Sequence, residues 1–244
     1  MSHCTIIPTY NNRNTLAKVV NDASIYSDYV IVVNDGSTDD TLNILGNLRN
    51  SKVIIVSYQK NQGKGHALLQ GFKKAEELGF DYAVTMDSDG QHFAEDIPNL
   101  LSKIDNDNET YLVLGSRNID TQENMPSKNS FANNFSNFWF KVETGLTLPD
   151  TQCGFRIYPV KEVNKMHVFS TKYEAELEML VRLAWRNVKV VSCPIKVYYA
   201  PEGERVSHFR PFKDFFRISI LNTILSTISV FYIKPRNLFR KWVG

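Results

Sequence analysis

The chain has 244 residues, of which 43% are hydrophobic and 22% are charged, ordinary proportions for a globular protein that can bury a core. Its three cysteines, Cys4, Cys153 and Cys193, are odd in number and widely spaced, which excludes a disulfide framework and a zinc-binding pattern. The net charge of +2 is unevenly distributed, because residues 205–244 contain eight Lys or Arg and one Asp, so a basic tail follows an acidic body.

Short runs rich in Val and Ile predict buried strands in the first half of the chain. They are CTIIPTY (4–10), YVIVVND (29–35), KVIIVSY (52–58), YAVTMD (82–87) and YLVLGSR (111–117). Helical patterns lie between them, at about 14–24, 39–49, 63–79 and 95–104. This alternation predicts an α/β fold, with a mostly parallel sheet flanked by helices.

The alternation stops after Asp120. Residues 121–137 are polar and predict a loop; further on we expect a helix near 131–145, a helix near 173–187 and a strand in VKVVSCPIKVYYA (188–200). Two regions are therefore predicted, an α/β domain at 1–202 and a basic, amphipathic segment at 203–244. The chain enters its first strand without the pattern of a signal peptide, and the expected location is cytoplasmic.

Polar residues follow several of the predicted strands. They are Thr9 and Tyr10 after the first strand, Asp35 and Gly36 after the second, Asp87, Asp89 and Gln91 after the fourth, and Arg117 at the fifth. Residues of these types also favour turns, so turn formation alone would explain polar residues at any one strand end. Together they favour a ligand site, because ligands of open α/β sheets bind at the carboxyl ends of the strands.

The segment DSDGQ at 87–91 is the most informative of these. In an extended backbone Asp87, Asp89 and Gln91 would share one face, and hard oxygen ligands of this kind suit Mg²⁺ or Mn²⁺. A calcium-binding EF-hand loop is excluded, because its required Gly and Glu positions hold His92 and Pro98. The glycine patterns of dinucleotide-binding folds and of P-loops are also absent.

Seven segments in order resemble the family-2 glycosyltransferases, in particular the branch of polyprenyl-phosphate (dolichol-phosphate) mannosyl- and glucosyltransferases. They are PTYNN (8–12), VVNDGSTDDT (32–41), NQGKGHAL (61–68), MDSDGQH (86–92), GSRN (115–118), DTQCGFRIY (150–158) and YEAELEML (173–180). The resemblance implies the GT-A fold. It also implies inverting transfer of a hexose from a nucleoside-diphosphate sugar, of the GDP-mannose or UDP-glucose type, to a membrane-associated lipid phosphate.

The resemblance further implies roles on the donor side. Nucleotide-sugar binding falls to Pro8, Thr9, Tyr10, Asp35, Gly36, Gln62, Lys64 and Asp87. Asp87, Asp89 and Gln91 would hold Mg²⁺ or Mn²⁺, and Asp89 would thereby serve catalysis. Such a cation neutralises the leaving diphosphate as the sugar–oxygen bond breaks.

The acceptor side leaves two alternatives open. A lipid phosphate is already ionised and needs cations, for which the candidates are Arg117, Arg156, Arg205, Arg210 and Lys213. A hydroxyl of a glycan or amphiphile needs a general base, for which Asp150 and Glu174 are the candidates. Structural ion pairs are the competing explanation for several of these side chains.

The C-terminal segment contains 16 consecutive uncharged residues, 218–233, between Arg217 and Lys234. A spanning helix needs about 20 apolar residues, so a helix lying at the cytoplasmic face of a membrane is expected. Packing on the protein's own body or on a twin subunit is the alternative, and the oligomeric state is left open. Nucleic acid is not expected as a partner, because these basic residues flank an apolar run. A non-catalytic, nucleotide-binding scaffold is the remaining alternative from another class.

Overall fold

The structure is a computed structural model that describes residues 1–48, 50–105, 108–117, 127–199 and 211–243, without the side chains of 127–131, 211 and 240–243. The strands are β1 His3–Thr9, β2 Tyr29–Asp35, β3 Val53–Tyr58, β4 Tyr82–Thr85, β5 Tyr111–Arg117, β6 Arg156–Pro159 and β7 Lys189–Ile195. The helices are α1 Leu16–Tyr26, α2 Thr41–Leu48, α3 Lys64–Glu77, α4 Ile97–Leu101, α5 Ser127–Thr144, α6 Val160–Asn164, α7 Glu174–Trp185, α8 Pro211–Ile228 and α9 Lys234–Val243. A 3₁₀ turn, Ala94–Asp96, precedes α4, and a π-helical turn, Ser229–Ile233, joins α8 to α9.

The strands form one sheet in the order β3-β2-β1-β4-β6-β5-β7. Strand β6 runs antiparallel to β4 and β5, and the remaining pairs are parallel. The chain leaves β1 toward β2 and β3 on one side and later returns to β4 on the other side. The carboxyl ends of β1 and β4 therefore border the crevice in which open α/β sheets bind ligands.

Alternating side chains bury both faces of the central strands. Ile6 and Val33 pack into a core cluster with Leu68 and Phe72 of α3. Ile7 and Val32 point to the opposite face and belong to a second cluster, which includes residues of α1. Burial on both faces explains why these strands are continuously apolar in sequence.

The predicted α/β class, with a mostly parallel sheet and flanking helices, is confirmed. The predicted helix near 131–145 is confirmed as α5, which begins earlier, at Ser127, so the predicted loop at 121–137 is wrong from Ser127 onward. Polar residues of α5 turn inward: the Asn133 amide donates to the Pro149 carbonyl at 3.1 Å, and the Ser136 hydroxyl is within 2.7 Å of the Thr151 hydroxyl. The polar side chains in the first half of α5 hold the backbone at 149–151 in place. They give that half of the helix the composition of a loop.

Two predictions about strands also need correction. Strand β6 was not predicted, because its four residues are too few to give a recognisable apolar run. Strand β7 ends at Ile195, several residues earlier than predicted, because Val197 has left the sheet ladder and forms an isolated bridge with His92.

The C-terminal helix packs on the α/β body. Leu221 and Leu225 of α8 are buried in the core cluster that contains α3 and α7 residues. The Ser229 hydroxyl donates to the Glu143 carbonyl at the end of α5, at 2.6 Å. The predicted domain boundary at 202–203 lies outside the described residues.

Candidate functional site

A cavity of about 570 Å³ opens at the carboxyl ends of β1, β2 and β4 and at the start of α3. Six of the eight residues predicted to bind the nucleotide sugar line it: Pro8, Thr9, Tyr10, Asp35, Lys64 and Asp87. Gln62 is exposed at its edge, and Gly36 is buried behind the lining. The sequence therefore located the cavity, although two of the residues that it assigned there lie just outside the wall.

Asp35 organises this end of the cavity by holding a neighbouring loop. Its two carboxylate oxygens accept hydrogen bonds from the backbone amides of Gln62 and Gly63, at 2.7 and 2.8 Å. Gly36 has a φ of +69°, and a Cβ there would lie 2.6 Å from the Lys60 carbonyl carbon. Glycine is therefore required at position 36, because the backbone at Lys60 lies too close to allow a side chain. These contacts set where α3 begins and hence where Lys64 lies.

Asp87, Asp89 and Gln91 all line the same cavity, but a turn brings them there. Strand β4 ends at Thr85, so the expectation that these residues share a face of an extended strand is wrong. Gly90 has a φ of +78°, and the Gln91 amide donates to Asp89 Oδ1 at 3.0 Å. A tight turn thus gathers three oxygen-bearing side chains where a strand would have spread them along its length.

The two carboxylates provide a suitable environment for a cation. Burial and the neighbouring carboxylate of Asp87 raise the pKa of Asp89 to about 6, which indicates negative charge that is poorly compensated. Among the described residues no cluster of three or more His, Cys, Asp and Glu side chains could hold a metal. Two carboxylates and an amide oxygen are a donor set that would suit Mg²⁺ or Mn²⁺ if phosphate oxygens and water completed the coordination.

Lys64 lies beside this pair of carboxylates. Its Nζ is 2.6 Å from Asp87 Oδ1 and 2.8 Å from Glu176 Oε2, at the start of α7. Burial alone would lower the pKa of Lys64, but the two carboxylates raise it above its usual range. Lys64 is thus a fixed positive charge at the cavity wall. Glu176 was not identified from the sequence, because nothing local marks it among the glutamates of α7.

Asp150 and Arg117 form a two-pronged ion pair. Arg117 donates from Nε to Asp150 Oδ2 at 2.6 Å and from Nη2 to Oδ1 at 2.9 Å. Burial opposes ionisation of Asp150, but the Arg117 guanidinium and backbone amides hold its pKa below the usual range. Asp150 is therefore a poor general base, and its predicted catalytic role is corrected to a structural one. Arg117 does not line the cavity, and two of its donor groups are engaged.

Arg156 is also corrected, because it lies in the interior and only 1% of its surface is exposed. Its guanidinium donates to the carbonyls of Cys153, Thr151 and Glu176 and to the hydroxyl of Tyr158, at 2.6 to 2.9 Å. These bonds join β6 to the start of α7. The prediction that Arg156 binds the acceptor is therefore wrong, since its donors are used inside the protein.

Other cations line the cavity from α8 and from the residues just before α7. Lys213 lines it as predicted, together with Lys172 and Arg217, which the sequence interpretation did not single out. Arg205 and Arg210 lie outside the described residues. In the sequence, Arg217 is marked only by its position at the edge of the uncharged run 218–233.

A second cavity of about 330 Å³ adjoins the first and shares Lys172 and Arg217 with it. Its apolar lining comes from Phe169 and from α8, through Ile220, Leu221, Ile224 and Leu225. Glu174 also lines it, and Glu174 Oε2 has no hydrogen-bond partner among the described residues. Polar and apolar compartments thus meet at a pair of cations.

Comparison with known proteins agrees with this arrangement. Residues 4–165 match the family model described as glycosyl transferase family 2. The chain is 33% identical over 239 residues to a UDP-N-acetylglucosamine–dolichyl-phosphate N-acetylglucosaminyltransferase of Methanococcus voltae, covering 88% of this chain and 94% of that one. It is 30% identical over 210 residues to an undecaprenyl-phosphate mannosyltransferase of Micrococcus luteus, covering 82% and 85% of the two chains.

Solved structures support the fold assignment. Mannosyl-3-phosphoglycerate synthase from Rubrobacter xylanophilus superposes with a TM-score of 0.65 at 14% identity, over 100% of this chain and 76% of that one. S. aureus TarS 1–349 in complex with UDP gives a TM-score of 0.55 at 19% identity, over 92% and 65% of the two chains. The GT-A fold implied by the sequence motifs is confirmed.

Proposed function

The chain belongs to the family-2 glycosyltransferases, and we propose that it transfers a sugar from a nucleoside-diphosphate sugar to a polyprenyl phosphate at a membrane surface. The reaction is an in-line displacement: a phosphate oxygen of the acceptor forms the new bond to the anomeric carbon as the bond to the diphosphate breaks. The lipid phosphate is already ionised near neutral pH, so this acceptor needs no general base.

The observation that carries the proposal is the junction between the two cavities. Asp87 and Asp89 mark the donor end of the first cavity, and the apolar groove along α8 begins at Lys172 and Arg217, which border both. A phosphate between these cations would have its hydrocarbon chain in the groove and its reactive oxygen toward the donor. Cationic and apolar surfaces in this order fit an amphiphile with a phosphate head group.

On the donor side, Asp87, Asp89 and Gln91 would hold Mg²⁺ or Mn²⁺. When bound, that cation supplies the positive charge that neutralises the departing diphosphate. Lys64 adds a second positive charge at the same wall, and Asp35 keeps the Lys64 loop in place. Pro8, Thr9 and Tyr10 provide the wall on which the nucleoside would lie.

The donor is proposed as a UDP- or GDP-linked hexose, or its N-acetylamino derivative. The relatives' names include both N-acetylglucosaminyl and mannosyl transfer. A thermal-shift comparison of UDP, GDP, dTDP and CDP, each with and without Mn²⁺, tests the base. A ligand that binds only the folded state raises the melting temperature.

The deciding experiment is a transfer assay with three radiolabelled donors, UDP-N-acetylglucosamine, UDP-glucose and GDP-mannose. Each is offered undecaprenyl phosphate, undecaprenol or a soluble oligosaccharide. We expect one donor to give a chloroform-extractable product with undecaprenyl phosphate alone. Transfer to undecaprenol or to the oligosaccharide, with none to the phosphate, would refute the proposal.

One observation favours a second candidate, a hydroxyl acceptor. Glu174 Oε2 lies at the groove without a partner among the described residues and could accept the proton of an attacking hydroxyl. Under this alternative Glu174→Gln abolishes transfer while nucleotide binding is kept. With a phosphate acceptor the same variant retains most of its activity.

Attachment to the cytoplasmic face of a membrane is part of the proposal. The helix at Phe212–Phe239 is by length and composition capable of crossing a membrane, with 28% of its apolar window buried in the protein. Leu221, Asn222 and Leu225 are among its buried residues, whereas Phe212 and Phe231 are 92% and 80% exposed. Because one side packs on the body, we propose a helix lying in the interface rather than a span.

A further inference from the structure

The charged groups of Asp87, Lys64 and Glu176 meet beside Gly154. Asp87 and Lys64 line the first cavity, in which the donor is proposed to bind and which we call the donor cavity. A Cβ on Gly154 would lie 2.9 Å from Asp87 Oδ2, 3.1 Å from Lys64 Nζ and 3.2 Å from Glu176 Oε1. The Lys64 ammonium bridges the two carboxylates, and both side chains of the Lys64–Glu176 pair are mostly buried. The charges are thus one positive and two negative, partly buried at the cavity wall, with the Asp87 side chain 28% exposed.

The frame around this group is rigid. The His66 amide donates to the Thr171 carbonyl at 2.9 Å, and a Cβ on Gly65 would lie 2.3 Å from that of Ala175, so the first turns of α3 and α7 touch. Arg156 Nη1 donates to the Glu176 carbonyl at 2.8 Å. Lys64 and Glu176 are therefore held opposite each other by backbone contacts, and the ammonium can move only by side-chain rotation.

Glu176 has unused capacity to bind a cation. Its Oε2 accepts from Lys64, but its Oε1 is buried and has no hydrogen-bond partner among the described residues. Asp87 Oδ1, in contrast, is paired with the ammonium at 2.6 Å, so a divalent cation at this oxygen would compete with Lys64. A cation at Asp87 would stand within a few ångströms of Lys64, where two like charges repel strongly in a partly buried site.

We propose that Lys64 is a resident counterion of Asp87 that a divalent cation displaces from Asp87, leaving the ammonium on Glu176 alone, which makes Glu176 a positioning residue that sets how readily the cation binds. The inference rests on the proposed metal site of the donor cavity. Lys64 then stays beside the diphosphate instead of leaving the site, because Glu176 retains it.

The exchange predicts opposite effects for two substitutions. Lys64→Met removes the competitor, so affinity for Mn²⁺ without nucleotide rises, on the order of tenfold. Glu176→Gln removes the alternative partner and leaves the ammonium on Asp87, so Mn²⁺ affinity falls by a similar factor. In the Lys64→Met background, Glu176→Gln has little further effect, because no ammonium remains to be retained.

The test measures Mn²⁺ alone, by electron paramagnetic resonance of the free ion, in wild type, both single variants and the double variant. Lys172→Met is the matched control, since it removes one positive charge from the same cavity but not from Asp87. We expect it to change Mn²⁺ affinity much less than Lys64→Met. Circular dichroism and thermal melts establish that each variant is folded.

Additive effects of the two substitutions in the double variant would overturn the inference. They would show that each charge acts on Mn²⁺ affinity independently, without coupling between Lys64 and Glu176. Equal effects of Lys64→Met and Lys172→Met would overturn it too, as would the absence of Mn²⁺ binding by wild type. None of these results bears on the lipid acceptor, which the transfer assay tests separately. Failure of the inference and failure of the proposed function are therefore distinguishable.

Discussion

At the scale of single residues, Gly154 shows how a missing side chain can serve a charged site. Gly154 does not have a positive φ, so glycine is needed here because it leaves room for neighbouring side chains and not because it frees the backbone. Asp87, Lys64 and Glu176 all converge on the position that a Cβ would occupy. The close approach of these groups depends on that vacancy.

We expect Gly154→Ala to lower Mn²⁺-dependent nucleotide binding at least tenfold while the protein stays folded. The new methyl group displaces a carboxylate and an ammonium that are held by short contacts, which costs about 1–3 kcal/mol. Isothermal titration with UDP or GDP and Mn²⁺ measures the effect. Gly46→Ala is the control, because a Cβ there meets nothing within 4 Å, and it should leave binding unchanged.

Asp150 is a residue whose contribution we expect in stability instead of chemistry. Asp150→Asn leaves the guanidinium of Arg117 without its anion and should lower the free energy of unfolding by about 3 kcal/mol, as measured in urea. The folded-state pKa of Asp150 is lowered, so its stabilisation is present above the unfolded pKa near 4. It is lost as the pH falls through the folded value, where variant and wild type converge.

The exposed pair Lys18–Asp22 provides the comparison for this prediction. Its side chains are 79% and 42% exposed, and Asp22→Asn should cost less than about 1 kcal/mol. Equal costs for Asp22→Asn and Asp150→Asn would contradict the structural role assigned to Asp150.

At the scale of elements, the contact between α5 and α8 contains polar groups that the proposed function does not use. Glu143 is 1% exposed, and neither of its carboxylate oxygens has a hydrogen-bond partner among the described residues. Asn222 of α8 is equally buried, with both amide atoms unpartnered there. On the adjoining side Trp185 Nε1 donates to the Glu143 carbonyl, and Arg236 of α9 donates to the Trp185 carbonyl.

Burial raises the pKa of Glu143 to about 8, against an opposing contribution from Ser226. A carboxyl whose folded pKa exceeds its unfolded value stabilises the fold below the unfolded pKa, and that stability is lost as the pH rises through about 8. We therefore expect the unfolding free energy to fall by about 2–4 kcal/mol between pH 5 and pH 8. Glu143→Gln should remove most of this slope; an unchanged slope in urea titrations would refute the assignment.

At the scale of the whole molecule, the apolar surface of the C-terminal helix and the uneven charge lead to one expectation about membranes. Phe216 and Phe231 are 66% and 80% exposed. Replacing both with Ser should weaken binding to phosphatidylglycerol-containing vesicles at least tenfold, because each buried Phe contributes about 1.5–3 kcal/mol. Co-sedimentation measures the loss.

Ile25→Ser is the matched control for this experiment. Ile25 is 72% exposed on α1, which packs on the opposite face of the sheet from α8. Its substitution should not change vesicle binding. If Ile25→Ser and the double Phe variant weakened binding equally, membrane association would not depend on the C-terminal helix.

Local features predicted the parts of the molecule that depend on neighbours in sequence. The apolar runs became β1 to β5, since a strand covered on both faces must be apolar throughout. Thr9, Asp35 and Asp87 were correctly predicted to lie together at one cavity, because parallel strands bring their carboxyl ends to one edge of the sheet. Even the error about the extended 87–91 segment left its residues in the cavity.

The sequence by itself determined the fold class, the family and most of the residues that line the first cavity, since those follow from periodicity and from short motifs of adjacent residues. Only the tertiary structure decided which charged side chains face the cavity. Arg156 and Asp150 are interior partners, whereas Lys172 and Arg217 line the cavities and Glu176 pairs with Lys64 at the cavity wall. The physical reason is that the role of a charged side chain depends on the group that it contacts. Partners such as Lys64 and Glu176 are brought together by the packing of α3 on α7, which no local sequence pattern encodes.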